Sequence, residues 1–263
     1  MCSAAGAVFG PVLAASSGSN FAARKQTFEP TTGKSKRSDS LDYSTSNESP
    51  SAISQKSPCG LTNVMSAKTS AAPELPVAVL RAAYMDGWFP MGEQGTRLIE
   101  WFSPDPRGIL PLTAFHIPAR LGRTVRAGRF EIRIDTAFAE VMDRCAERDD
   151  TWISDVIRET YQALHAAGEA HSVECWREGH LVGGLYGVAL GGAFFGESMF
   201  HIDTDASKVA LVALVDRLRE RDFALLDLQW VTPHLAQFGA TEIRRGPYLQ
   251  LLRQALIRRC RFA

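Results

Sequence analysis

Apolar and polar positions divide the chain into a patternless leader and a periodic body. Residues 1–70 show almost no recurring apolar spacing. From Val77 to Tyr84 the spacing predicts a short helix, broken at Gly87 and stopped before Pro90. Trp101-Phe102-Ser103-Pro104-Asp105-Pro106-Arg107 reads as a proline-punctuated loop. Phe130 to Ile134 alternates as a strand, and Asp135 reads as an N-cap, with Phe138, Val141, Met142 and Cys145 on one helical face behind it. Ser154 opens a further helix that stops at Gly168. Strands are expected at 171–176, 180–189 and 193–200, the last two joined at Gly191-Gly192. Residues 206–221 form a helix that is apolar all round in its first half, which predicts burial. A strand over 223–231, a short helix ending at Gly239 and an amphipathic helix over 247–259 complete the pattern.

Strands that give way to a buried helix, then a strand and another helix, predict an α+β fold. The element order resembles an acetyltransferase-like (GNAT-type) domain. The expected division is a tail over 1–70, a small N-terminal domain over 71–110 and the transferase-type domain over 111–263.

Composition changes this picture only at its edges. The leader holds fifteen serines and runs such as Ser44-Thr45-Ser46-Asn47, a composition that cannot bury enough surface to offset its ordering entropy. Three readings stay open for it: a disordered tail, an organelle transit peptide, or sequence upstream of a true start at Met65. Net charge is zero over 263 residues, so any nucleic-acid surface has to be local rather than a global field. No apolar run approaches the ~20 residues of a membrane-spanning helix. Five cysteines, none in a C-x-x-C pair, and six histidines without ligand spacing predict reduced thiols and no metal, as in a cytoplasmic protein.

Three groups of residues carry candidate chemistry. In Leu225-Leu226-Asp227-Leu228-Gln229-Trp230-Val231, alternation points Asp227 and Gln229 to the same face. Two polar groups inside an apolar strand are costly unless paired. Either they face solvent at a sheet end, or the Asp orients the Gln and the Gln carbonyl holds a nucleophile. Glu197 is the same kind of anomaly, read either as a buried ion pair with a Lys or Arg or as a site residue. Trp88, Phe89, Trp101, Phe102 and Trp152 gather around loops, as core or as stacking surfaces for a base. Arg120, Arg123, Arg126, Arg129 and Arg133 lie close together, as a solvated face or as phosphate contacts.

The same residues carry a family resemblance. Trp101 to Arg107 resembles the W-W-S-P-D-P-R signature of leucyl/phenylalanyl-tRNA–protein transferases. Thr151-Trp152-Ile153, Ala170 to Trp176, Leu181 to Gly187, Gly196 to Phe200, Ala206-Ser207-Lys208, Leu226 to Gln229 and His234-Leu235 through Phe238-Gly239-Ala240 follow in the family's order, over roughly 76 to 250. The chain departs from the pattern at Phe89-Pro90-Met91 (F-P-W in the family), at Phe102, and at Leu185 and Leu214, where methionine and phenylalanine also occur; the glycine-rich entry before Ala82 is missing.

The resemblance implies an aminoacyltransferase of acetyltransferase-like fold that uses no coenzyme A, and no Q/R-x-x-G-x-G/A loop precedes a helix here. It implies that Asp227 and Gln229 are the catalytic pair, with Glu197 as the site glutamate and Trp152 at the tRNA 3′ adenosine. Leu185, Phe194, Met199, Leu214 and Leu226 would form the pocket for an apolar aminoacyl side chain. The donor would be leucyl- or phenylalanyl-tRNA, with methionyl-tRNA a further candidate. The acceptor would be the N-terminal Arg or Lys of a protein so marked for N-degron-dependent degradation, and the enzyme would be monomeric. Arg120, Arg123, Arg126 and Arg129 would contact tRNA phosphates, and Glu197 and Asp227 would supply negative charge for the basic acceptor. The competing classes are an acetyl-CoA-dependent N-acetyltransferase and a non-catalytic RNA-binding module.

Overall fold

In the computed structural model, which describes residues 75–148 and 151–263, one large sheet organises the chain. The expectations for the leader lie outside the described residues. Helix α1 (Val77–Met85) leads into a two-stranded sheet of β1 (Phe89–Gly92) and β2 (Ile99–Phe102). The main sheet has seven strands in the order β4-β5-β6-β7-β8-β3-β9. These are β3 (Arg107–Ile109), β4 (Glu131–Ile134), β5 (Ala170–Arg177), β6 (His180–Leu190), β7 (Ala193–His201), β8 (Leu225–Gln229) and β9 (Thr241–Ile243). Every pairing is antiparallel except β7–β8. A parallel pair needs a crossover, and α5 (Ala206–Glu220) is that crossover.

Two apolar layers cover the two faces of the sheet. On one side α5 packs with Leu185, Phe194, Met199, Leu226 and Leu228, joined by Leu121 of α2 (Ala119–Arg126). On the other lie α1, α3 (Phe138–Ala146), α4 (Asp155–Ala166) and α7 (Arg245–Leu256), whose buried residues pack with Tyr186, Phe195, Phe200 and Leu225. The short helix α6 (Pro233–Ala236) starts at Thr232, whose side chain caps it. Strands β5 to β7 are buried on both faces, which is why β6 and most of β7 read as apolar runs, while β5 buries the polar His171, Ser172 and Glu174.

The structure moves several boundaries. Asp135 is not an N-cap: it stands at φ 57°, and its carboxylate accepts from the Ser172 N–H at 2.8 Å and meets His171 Nδ1 at 2.7 Å. The start of α3 is capped instead by Glu174, a distant strand residue that accepts from the Ala137 N–H at 2.8 Å. Strand β8 ends at Gln229 rather than at residue 231, because Gln229 takes φ 59°. Helix α7 runs Arg245–Leu256, earlier at both ends than the expected 247–259. Arginines 120, 123 and 126 lie on α2, a helix the pattern did not foretell. The two ends of the proline-punctuated loop belong to strands, Trp101 and Phe102 to β2 and Arg107 to β3.

Candidate active site

The buried polar cluster lies where β8 ends. Asp227 and Gln229 are 0% and 2% exposed, so they do not face solvent at a sheet end. Arg107 of β3 is itself 0% exposed, and its Nε and Nη2 donate to the two Asp227 oxygens, each at 2.9 Å. Tyr248 of α7 donates its hydroxyl to Oδ2 at 2.6 Å, and the Gln229 backbone N–H donates to Oδ1 at 2.9 Å. Burial alone would lower the Arg107 pKa, but Asp227 beside it holds it above the ordinary guanidinium value. Burial keeps the Tyr248 hydroxyl well above the usual phenol range, so it stays a donor.

Asp227 therefore holds Gln229 by its backbone rather than by its side chain. The Gln229 amide nitrogen donates to Glu197 Oε1 at 3.4 Å, and among the described residues no group donates to the Gln229 carbonyl oxygen. A non-glycine residue at φ 59° costs about 1–3 kcal/mol and persists where its surroundings fix it.

Glu197 reaches this face through a β-bulge. Gly187 pairs with Gly196 and Tyr186 with Ser198, which leaves Glu197 as the extra residue. Its Oε1 accepts from Tyr84 at 2.6 Å and its Oε2 from Tyr161 at 3.3 Å, and the two tyrosine hydroxyls are hydrogen-bonded to each other. Among the described residues no Lys or Arg forms an ion pair with it. Burial pushes the Glu197 carboxyl up to about 8 even though both tyrosines favour its charged form. The site thus combines a carboxylate whose acceptor positions are filled, a carboxyl that is mostly neutral at pH 7, and an amide with an open carbonyl.

Trp152 lies on the same side of the sheet, 8% exposed, with its indole N–H buried and unpartnered among the described residues. Its carbonyl accepts from the Gly92 N–H at 3.0 Å, which ties it to β1 beside Met91. Of the other loop aromatics, Phe89 packs against Phe102 and Trp230 at centroid distances of 6.1 and 5.1 Å.

The five apolar residues, Leu185, Phe194, Met199, Leu214 and Leu226, do come together, all at 0% exposure. Leu185 faces Met199 and Phe194 faces Leu226 across neighbouring strands, and Leu214 comes from α5. They occupy the α5 side of the sheet, the face opposite Asp227 and Glu197. The β7–β8 pairing stops at Phe195 and Asp227 while β7 runs on to His201, so the strands part beside the polar cluster.

Arg120, Arg123, Arg126 and Arg129 are exposed on and just beyond α2. Arg120 approaches Asp205 at 3.9 Å; Arg123, Arg126 and Arg129 have no ion-pair partner among the described residues. Arg133 is turned aside, paired with Glu131 and lying over the Trp176 ring.

Sequence reasoning missed Arg107, Tyr84, Tyr161 and Tyr248 as site residues. A signal existed for Arg107 alone, as the cation that closes the proline loop; the tyrosines look like ordinary apolar positions of α1, α4 and α7.

Comparison with known proteins gives this arrangement its family. Residues 109–253 match the model for leucyl/phenylalanyl-tRNA protein transferase, and residues 74–105 match that family's N-terminal domain. The leucyl/phenylalanyl-tRNA–protein transferase of Herpetosiphon aurantiacus is 59% identical over 66% of this chain and 90% of its own length. That of Gloeobacter violaceus is 53% identical over 72% of this chain and 96% of its own. Among solved structures, L-PGS from Bacillus licheniformis aligns with 60% of this chain and 54% of that one at 15% identity and a TM-score of 0.34, too distant to carry a fold assignment. On the family match and these identities, the chain belongs to the leucyl/phenylalanyl-tRNA protein transferase family.

Proposed function

We propose that this aminoacyltransferase moves leucine or phenylalanine, and methionine as a further donor, from its tRNA to the N-terminal Arg or Lys of an acceptor protein, so marking the acceptor for degradation by an N-degron route. The observation that carries the catalytic part is Gln229: its backbone is fixed by Asp227 and its carbonyl is left open. An α-amine titrates at about 7.7–8.0, so part of it is neutral at pH 7. The Gln229 carbonyl accepts a hydrogen bond from that amine and aims it. The nitrogen bonds to the ester carbonyl carbon, the bond to the tRNA 3′ oxygen breaks, and the proton leaving nitrogen ends on that oxygen. The ester is already activated, so positioning, which can be worth ~7–11 kcal/mol, is the enzyme's main task.

The parting of β7 and β8 supports an acetyltransferase-like reading of the domain. It also offers a route by which the aminoacyl side chain reaches Leu185, Phe194, Met199, Leu214 and Leu226 on the far face. These residues must open to admit it, since all are fully buried. Trp152, on the Asp227 side, fits a tRNA 3′ adenosine with its unpartnered N–H, and the α2 arginines fit backbone phosphates. Because Arg107 neutralises Asp227, the negative charge for a basic acceptor falls to Glu197. Arrival of a cation there favours its ionised form and releases a proton.

The test is transfer of radiolabelled leucine from leucyl-tRNA to an Arg-terminal peptide. Wild type should transfer, and Asp227→Ala should lose orders of magnitude. Gln229→Ala should lose less, because water can replace a positioned amide. Asp227→Ala leaves Arg107 buried without its partner, a loss of ~3–5 kcal/mol. Asp227→Asn also removes the charge but keeps the shape and one accepting oxygen, and a melting curve of each variant separates lost activity from lost fold. Full activity in a folded Asp227→Asn protein, or acetyl transfer from acetyl-CoA in place of leucyl transfer, would overturn the reading.

A further inference from the structure

Four donors from three parts of the chain converge on the two oxygens of Asp227. Arg107 contributes two, Tyr248 one and the Gln229 backbone one. An ionised carboxylate offers about four lone-pair positions, so none is left for substrate. Asp227 can then act on the reaction only through what it holds. The one contact that is neither Arg107 nor Tyr248 is the N–H of Gln229, the residue turned out of the strand at φ 59°.

Arg107 is held as firmly as the carboxylate it grips. Its Nη1 donates to the Gly87 carbonyl at 3.0 Å. Its guanidinium carbon lies 4.9 Å from the centre of the Phe89 ring and 4.8 Å from that of Tyr248. The planar fork matches both carboxylate oxygens, which a lysine cannot do. The Gly87 turn leads straight into β1, so one guanidinium ties the β1 side of the site to the end of β8.

We infer that Arg107 and Tyr248 are positioning residues of the transfer reaction. By saturating Asp227 they fix the one carboxylate orientation that holds Gln229 in its left-handed turn, and so fix where its open carbonyl points. This rests on the reading of Gln229 as the group that meets the attacking amine. A pair that served packing alone would affect stability and leave turnover untouched; a positioning pair lowers kcat and spares substrate affinity.

Tyr248→Phe is the mildest probe, since it keeps the ring on the guanidinium and removes one hydroxyl. In the full chain it should lower kcat about tenfold, the size of one hydrogen bond to a charged group, with KM for leucyl-tRNA and peptide nearly unchanged. Arg107→Lys keeps the charge and loses the fork, and should lower kcat about a hundredfold. In an Asp227→Asn background, Tyr248→Phe should produce no further loss of its own. The inference is overturned by a lowered melting temperature at unchanged kcat, by a raised KM at unchanged kcat, or by losses that multiply in the double variant. Gln229→Ala, measured alongside, separates the two levels. Full turnover in Gln229→Ala sinks the underlying reading; a slow Gln229→Ala beside a fully active Tyr248→Phe sinks only the role of the pair.

Discussion

Asp227 and Glu197 are both buried carboxyl groups close to Gln229, and the structure treats them oppositely. Asp227 has a guanidinium fork, a phenol and a backbone N–H; Glu197 has two phenols and an amide at 3.4 Å. Neutral donors do not offset desolvation as a formal cation does, which is why burial lifts Glu197 to about 8 from near 4.5. A carboxyl raised on folding favours the protonated native state. Its contribution to stability is complete below the unfolded value and is lost as pH rises through the folded one. Between about pH 4.5 and 8 the wild type should therefore lose stability relative to Glu197→Gln, by a few kcal/mol in order of magnitude. Subtracting the two melting curves over that range cancels the other titrating groups. Curves that stay parallel would show that folding leaves the Glu197 carboxyl unshifted.

At the scale of elements, β7 and α2 do the placing. Phe194 and Met199 face the same layer although they are five positions apart, an odd spacing that strict alternation forbids. The bulge supplies the missing step and turns Glu197 toward Tyr84 and Tyr161. Gly187 sits opposite, where a Cβ would come within 2.3 Å of the Phe195 carbonyl, so the bulge demands glycine across from it. Helix α2 buries Leu121 against the α5 layer and leaves Arg123 and Arg126 outward. Replacing both by Ala should weaken leucyl-tRNA binding and flatten its salt dependence by ~0.7–0.9 for each phosphate no longer neutralised. The weakening should be alike for different tRNA sequences, since phosphates carry no sequence information. Dissociation constants across a salt series read this directly, and an unchanged slope would return the arginines to a solvated face.

Over the whole molecule, the two ends should respond differently to change. Residues 1–70 lack a core pattern, and a chain beginning at Met65 should keep its transfer activity and melting temperature. Near the other end Phe262 is 2% exposed, its ring 5.1 Å from that of Phe194 and 4.6 Å from that of His171. Arg217 Nε donates to its carbonyl at 2.6 Å. Phe262→Ala should therefore destabilise by ~3–5 kcal/mol, as other buried aromatic truncations do. Because the ring backs Phe194, the variant should also alter the relative rates with leucyl- and phenylalanyl-tRNA. Thermal melts of both proteins and a donor comparison check these expectations; a lower melting temperature for the shortened chain would make the leader structural.

The sequence by itself determined most elements of the body, because their signals are local. Short strand-length runs between turn residues set β5 to β7, helical spacing set α3 and α4, and the all-round apolar first half of the 206–221 segment foretold the burial of α5. It also marked Asp227, Gln229 and Glu197, since polar groups in apolar strands stand out without any knowledge of their partners. What only the tertiary structure decided is what those groups touch. Arg107 meets Asp227 across 120 residues, Tyr84 meets Glu197 across 113, and Glu174 caps α3 from another strand. The bulge that turns Glu197, and the separation of the five apolar residues from the polar cluster onto opposite faces, were likewise hidden. Periodicity records which side of an element is buried, whereas the partner across the sheet is set by register and packing between segments far apart in the chain.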